Sequence, residues 1–172
     1  MAVLVVGMGD GKVTNDREDI LVTYALGSCI AVMTHDANAG VGGLLHFMLP
    51  ESSLDKERAA TRPCMFADSG LRELLNAGQR LGANPKRLSI YLAGGAQVLS
   101  NADVFNIGKR NYQAIRKLLW QEGLIIRGEE VGGTQCRTVR FEVATGKTWI
   151  KAGKMQQTGD DTQEALEWRL MF

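Results

Sequence analysis

The chain has 172 residues, 45% of them hydrophobic, which suits one compact domain with a sizeable core. Its 20 Lys and Arg stand against 19 Asp and Glu, spread along the chain, and a net charge of +1 gives no electrostatic footprint for nucleic acid. No apolar run approaches the roughly 20 residues that span a bilayer, and Met1-Ala-Val-Leu-Val-Val-Gly7 lacks the basic start of a signal peptide, so a cytoplasmic protein without membrane insertion is expected.

Residues 3–6 are apolar and rich in Val, a short strand broken by the glycines at 7, 9 and 11. Residues 12–15 form a second short strand and 16–19 a polar turn. Residues 20–24 read as a strand, Leu26-Gly-Ser28 as a sharp turn, and 29–33 as a further strand. Residues 34–40 are polar and read as a loop, in which His35 is solvated beside Asp36. Residues 41–48 form another strand, ended by Leu49-Pro50. These last three strands sit a hairpin's length apart, so they are expected to pair antiparallel and bring Cys29 towards His46.

Residues 51–61 are charged, in the manner of a surface loop. A helix is predicted over 65–81, with Met65, Leu71, Leu74, Leu75 and Leu81 as its apolar stripe and Gly82-Ala-Asn-Pro85 as its stop. Residues 87–93 read as a buried strand running into Gly94-Gly95. Asn106 is placed to cap a second helix, whose apolar face is Tyr112, Ile115, Leu118 and Leu119. Strands follow over 124–131 and 136–143, the latter alternating polar and apolar, and a turn at 144–146 makes a hairpin with 147–151. Residues 1–153 are read as a single domain and 154–172 as a tail, with a short amphipathic helix over 161–171. The expected fold class is α/β: mostly antiparallel sheets, or a β-sandwich, flanked by helices.

Chemistry concentrates in Thr23-Tyr-Ala-Leu-Gly-Ser-Cys29 and in His46. A cysteine is a strong nucleophile only as thiolate, so it needs a base or a cation close by. His46 is one of two histidines in the chain. A Cys-His pair suits hydrolysis of an amide, because one imidazole serves as base towards the thiol and as acid towards the leaving nitrogen. The Gly27-Ser28 turn is placed to aim the Cys29 N–H outward as an oxyanion donor, with the Ser28 N–H or hydroxyl as a second. Cys64 and Cys136 have no histidine near them in sequence and read as small buried hydrophobes. Three cysteines without a Cys-x-x-Cys pair indicate neither a disulfide framework nor a metal site. Gly94-Gly95 lacks the pattern of a nucleotide-binding loop and reads as a tight turn beside the active-site strands, so no cofactor is expected.

Leu26-Gly-Ser-Cys29, Gly43-Leu-Leu-His-Phe-Met-Leu-Pro50, Gly94-Gly-Ala96, Ile107-Gly-Lys-Arg-Asn111, Gly132-Gly133 and Arg137-Thr-Val-Arg-Phe141 resemble, in order, signatures of the CheD family of chemoreceptor glutamine deamidases. The resemblance covers residues 3–151 and implies a fold similar to the cysteine hydrolases of the deamidating-toxin group. It implies a catalytic set of Cys29, His46 and Thr23, with Thr23 as third member, and conversion of receptor glutamines to glutamate through a Cys thioester with release of ammonia. The implied substrates are methyl-accepting chemotaxis receptors. The alternative it implies is a regulatory partner of a CheC-type phosphatase that acts on phosphorylated CheY, with minor receptor methylesterase activity.

Overall fold

In a computed structural model of the chain, residues 1–97, 106–153 and 167–172 are described. Among the described residues, ten strands form two five-stranded sheets packed face to face. The first sheet has the order β1 (Val3–Val5), β3 (Ile20–Leu26), β8 (Cys136–Glu142), β9 (Thr148–Gly153) and β10 (Arg169–Leu170). The second has the order β2 (Asp10–Thr14), β5 (Val41–Phe47), β4 (Ile30–Asp36), β6 (Ser89–Gly94) and β7 (Ile126–Val131). Only β1–β3 and β6–β7 run parallel; every other pairing is antiparallel. Helices α2 (Ala67–Arg80) and α3 (Ile107–Gln121) cover the outer face of the second sheet. This is the α/β class expected.

Side-chain alternation divides the interior into two layers. Between the sheets lie Cys29, Ala31, Met33 and Leu44 from the second sheet and Leu21, Leu26, Val139, Phe141 and Ile150 from the first. Between the second sheet and the helices lie Ile30, Val32, Leu45 and Phe47 against Leu71, Leu74, Ile115 and Leu119. Strands β4 and β5 are therefore buried on both faces along their whole length.

Four expectations need correction. Strand β3 does not pair with β4; it lies in the opposite sheet, hydrogen-bonded to β1 and β8. Residues 34–36 are not loop but the end of β4, and His35 is buried rather than solvated. Partners remote in sequence satisfy this polar stretch: His35 Nε2 donates to the Val143 carbonyl at 2.9 Å, and Asp36 accepts from Arg87 and from the N–H groups of Asn38, Ala39 and Asn84. Burial alone would raise the Asp36 pKa; Arg87 and the backbone donors outweigh it and hold the carboxyl at about 2. A short helix, α1 (Lys56–Thr61), capped by Asp55, occupies part of the stretch read as loop. Of the helix read over 161–171, residues 161–166 lie outside the described residues, and Arg169–Leu170 instead pair with β9 as a strand. Phe172 then stacks on Tyr91 at 5.1 Å, tying the end of the chain to the second sheet.

The glycine pair after β6 was read as a tight turn near the active-site strands, and it is one. Gly94 has φ +109 and Gly95 φ +63, and a Cβ at Gly94 would overlap the Cys29 carbonyl oxygen. Gly94→Ala is expected to destabilise the fold by at least about 2 kcal/mol, measured by urea unfolding, because neither the backbone angle nor the neighbouring backbone can yield.

Candidate active site

Thr23, Cys29 and His46 all face the layer between the sheets. His46 pairs with Ala31 across β4–β5, on the same face as Leu44. Cys29 lies two residues before Ala31, hence on that face too, at the diagonal position from His46. Diagonal neighbours sit about 7–8 Å apart at Cα, within reach of an aromatic side chain. Thr23 comes from the opposite sheet, on the inward face of β3 with Leu21. Directly after it β3 bulges: Ala25 takes φ +55, Tyr24 and Ala25 turn outward, and Leu26 returns to the core. Under unbroken alternation Leu26 would face away from the core, so the bulge lets Thr23 and Leu26 both point inward.

The hydrogen bonds define the protonation pattern. The Thr23 hydroxyl donates to the Val6 carbonyl at 2.7 Å, and its oxygen also lies 2.7 Å from His46 Nδ1. A hydroxyl has a single proton, already engaged with Val6, so Nδ1 must be the donor in the second contact. The ring is then the Nδ1–H tautomer, and Nε2 carries the free lone pair. That atom is buried and has no hydrogen-bond partner among the described residues. Burial lowers the His46 pKa from 6.5 to about 4, so the imidazole is neutral. Burial raises the Cys29 thiol to about 11, its own backbone N–H working in the opposite direction. The resting pair is thus thiol and neutral imidazole, without a thiolate–imidazolium pair. The thiol is recessed: Cys29 is 8% exposed and packs among Val6, Leu26 and Ala31.

The backbone around the thiol is pinned at three successive carbonyls. Ala96 N–H donates to the Gly27 carbonyl at 2.8 Å, the Asn111 side-chain amide to that of Ser28 at 3.0 Å, and Gly95 N–H to that of Cys29 at 2.8 Å. A trans peptide points its N–H opposite to its C=O. The Ser28 N–H therefore points away from Ala96, and the Cys29 N–H away from Asn111. Arg137 secures the turn from behind through the carbonyls of Gly94 and Gly132, and is itself paired with Glu130.

Sequence reasoning missed Asn111 and Arg137 as parts of this site. A signal existed for Asn111. The buried stripe of α3 is Gly108, Asn111, Ile115 and Leu119, so one amide sits on an otherwise apolar helical face. Asn106 stands before α3 as expected, but its side chain makes no capping bond.

Fold and site together define a class: an α/β sandwich that holds a thiol and an oriented, neutral imidazole in the layer between its sheets. Residues 48–152 match the family described as CheD chemotactic sensory transduction. Among curated relatives, a probable chemoreceptor glutamine deamidase CheD of Solibacter usitatus is 45% identical over 157 residues, covering 91% of this chain and 93% of that one. The corresponding CheD 1 of Syntrophus aciditrophicus is 47% identical over 88% of this chain and 95% of its own, and one from Thermococcus kodakarensis is 38% identical over 85% and 90%. The chain belongs to the CheD family. A solved Neisseria meningitidis protein of the DUF152 family model is a distant likeness only, 14% identical with a TM-score of 0.40 over 76% of this chain and 63% of that one.

The buried imidazoles set the acid limb of stability. Folded His46 titrates near 4 and an unfolded imidazole near 6.5. Between those values the unfolded chain takes up a proton that the folded chain refuses. Stability should therefore be unaffected by this group above about pH 6.5 and fall by a few kcal/mol as the pH drops towards 4. His46→Gln should flatten that slope in urea titrations at successive pH values, with His35, also lowered by burial, supplying the remainder.

Proposed function

We propose that this chain is a protein-glutamine deamidase of chemotaxis receptors, with Cys29 as nucleophile, His46 as acid–base group and Thr23 as the residue that orients it. One observation carries the assignment: the Thr23 hydroxyl, committed to Val6, forces His46 to keep its Nε2 lone pair free in the layer that holds the thiol.

The mechanism follows from the protonation states. As the Cys29 sulfur attacks the carboxamide carbon of a glutamine, the S–H proton passes to His46 Nε2. The carbonyl oxygen becomes an oxyanion, met by the outward N–H of Cys29 with that of Ser28 beside it; a donor of this kind lowers the barrier by about 3 kcal/mol. The imidazolium returns its proton to the nitrogen, the C–N bond breaks, ammonia leaves and a glutamyl thioester remains. Nε2 next takes a proton from water while the hydroxide attacks the thioester carbon. Collapse breaks the C–S bond, and the sulfur recovers its proton from His46 as glutamate departs.

Thr23 fixes the tautomer but brings no charge to the transient imidazolium, so turnover is slow by design. The recessed thiol favours a long side chain on an exposed helix, which distinguishes glutamine from asparagine. Three free cysteines support a reducing compartment, the cytoplasm, as the place of the reaction. A receptor glutamate methyl ester, an easier electrophile than an amide, is a minor second substrate. Docking on a CheC-type phosphatase, the other role the family resemblance implies, does not require the thiol, so Cys29→Ala separates binding from turnover.

Incubation with a receptor fragment should add about 1 Da per modified glutamine by mass spectrometry, as NH₂ is exchanged for OH. Cys29→Ala should abolish the change, and persistence of turnover in that variant defeats the assignment. Thr23→Val should lower kcat about 10- to 100-fold, less than the roughly 10⁴-fold loss on replacing a charged orienting carboxylate. The pH profile of kcat/KM should be flat through 6.5, with limbs only towards about 4 and about 11.

A further inference from the structure

The strands that carry the thiol and the imidazole stop pairing just where the chemistry begins. The last rung of the β4–β5 ladder joins Ile30 to Phe47. Cys29 lies one residue beyond that rung, and His46 one residue inside it. Past the rung, the carbonyls of Ser28 and Met48 have no ladder partner from the facing strand. One side chain reaches both: Asn111 Nδ2 donates to Ser28 O at 3.0 Å and to Met48 O at 2.9 Å.

The orientation of this amide follows from its partners. Were Oδ1 turned towards the two carbonyls, it would meet only acceptors, so the NH₂ group must face them. Both of its protons are then used, one on each strand. Oδ1 is left buried with no hydrogen-bond partner among the described residues, and the residue as a whole is fully buried. An Asn on the buried stripe of α3 is unfavourable for packing alone, because Gly108, Ile115 and Leu119 make that face apolar. The arrangement leaves one polar atom unsatisfied but places two hydrogen bonds across the splayed strand ends.

We propose that Asn111 is a positioning residue for the deamidation: it replaces the missing rung between β4 and β5 and so fixes the Cys29 thiol relative to His46. The inference rests on the deamidase reading given above. The same bond does a second job. Holding the Ser28 carbonyl locks the Ser28–Cys29 peptide plane, and that plane carries the Cys29 N–H on its opposite side. Thiol, imidazole and oxyanion donor are thereby set by one amide that touches none of the reacting atoms. The anchor itself is firm. Helix α3 packs Ile115 and Leu119 into the second core layer, and Gly108 sits so close to the carbonyls of Gly95 and Ala96 that no side chain fits there.

The role predicts a loss in kcat with little change in KM, because the clamp orders the reacting groups and leaves the receptor-docking surface alone. Two variants test it on the full chain with an intact receptor fragment as substrate. N111L keeps the volume and removes both donors. N111D keeps the shape, but its ionised carboxylate only accepts hydrogen bonds; once protonated it regains one donor. In variants that near-UV circular dichroism shows to be folded, kcat should fall about 10- to 100-fold while KM stays within about threefold. N111D should recover part of the loss as the pH is lowered from about 8 to about 5, a slope opposite in sign to any acid loss in the wild type.

A folded N111L or N111D with kcat within twofold of wild type overturns the proposal. So does a fall in kcat that merely tracks the folded fraction. Should N111L fail to fold, N111D decides alone: recovery towards acid supports the clamp, and a flat profile overturns it. Failure of the wild-type protein to release ammonia from receptor glutamine overturns the deamidase reading and the clamp together. Normal turnover with an indifferent N111L overturns the clamp only.

Discussion

The Thr23 hydroxyl carries one proton, and the backbone of Val6 accepts it. From that single commitment follow the tautomer of His46, the free lone pair on Nε2 and the direction in which a proton can move. The bond also joins the two sheets, since Thr23 belongs to one and His46 to the other. A sandwich whose sheets shifted by even one rung would separate the pair. Packing between the sheets and proton chemistry are thus held by the same contact.

Cys29 is governed by a different constraint, the backbone. Donors from the Gly94–Gly95 turn and its continuation, Gly95 and Ala96, and from α3, Asn111, take the carbonyls of residues 27 to 29. Planar peptides then fix where the intervening N–H groups point. The close approach requires glycine at 94 and 108, because a Cβ at either would meet backbone. Arg137, buried and paired with Glu130, holds the far side of the turn. Cys29 is ordered through hydrogen bonds to the main chain around it.

Cys29 and His46 were legible as candidates from local signals, whereas Thr23 entered only through the resemblance to the CheD family. A cysteine after Gly-Ser and a histidine on a short apolar strand need no knowledge of distant contacts to be singled out. Helix α2 was equally clear from its apolar stripe and its glycine stop. What stayed hidden depends on partners far along the chain. Pairing of β3 with β8 cannot be seen from β3, and its nearest strands in sequence suggested a hairpin that does not form. The stretch Thr34-His35-Asp36 looked like loop because Arg87 and Val143, which satisfy it, are supplied by the tertiary fold. Asn111 was readable in principle, as the one amide on a buried stripe, but its acceptors are strand ends that only the folded chain brings together.

Burial leaves the Cys29 thiol and the His46 imidazole neutral at rest, which in the proposed mechanism suits a modifying enzyme better than a preformed ion pair would. A thiol titrating near 11 is a poor target for oxidants and alkylating agents, which act on thiolate. Its activation needs a carbon to attack, with the proton crossing to Nε2 as the bond forms and the oxyanion donors compensating the new charge. In the proposed mechanism selectivity follows from this reluctance to ionise, since a side chain long enough to reach the recessed sulfur and present its carbonyl to the Cys29 N–H would relieve it. On that reading the layer that hides the thiol from solvent also favours glutamine.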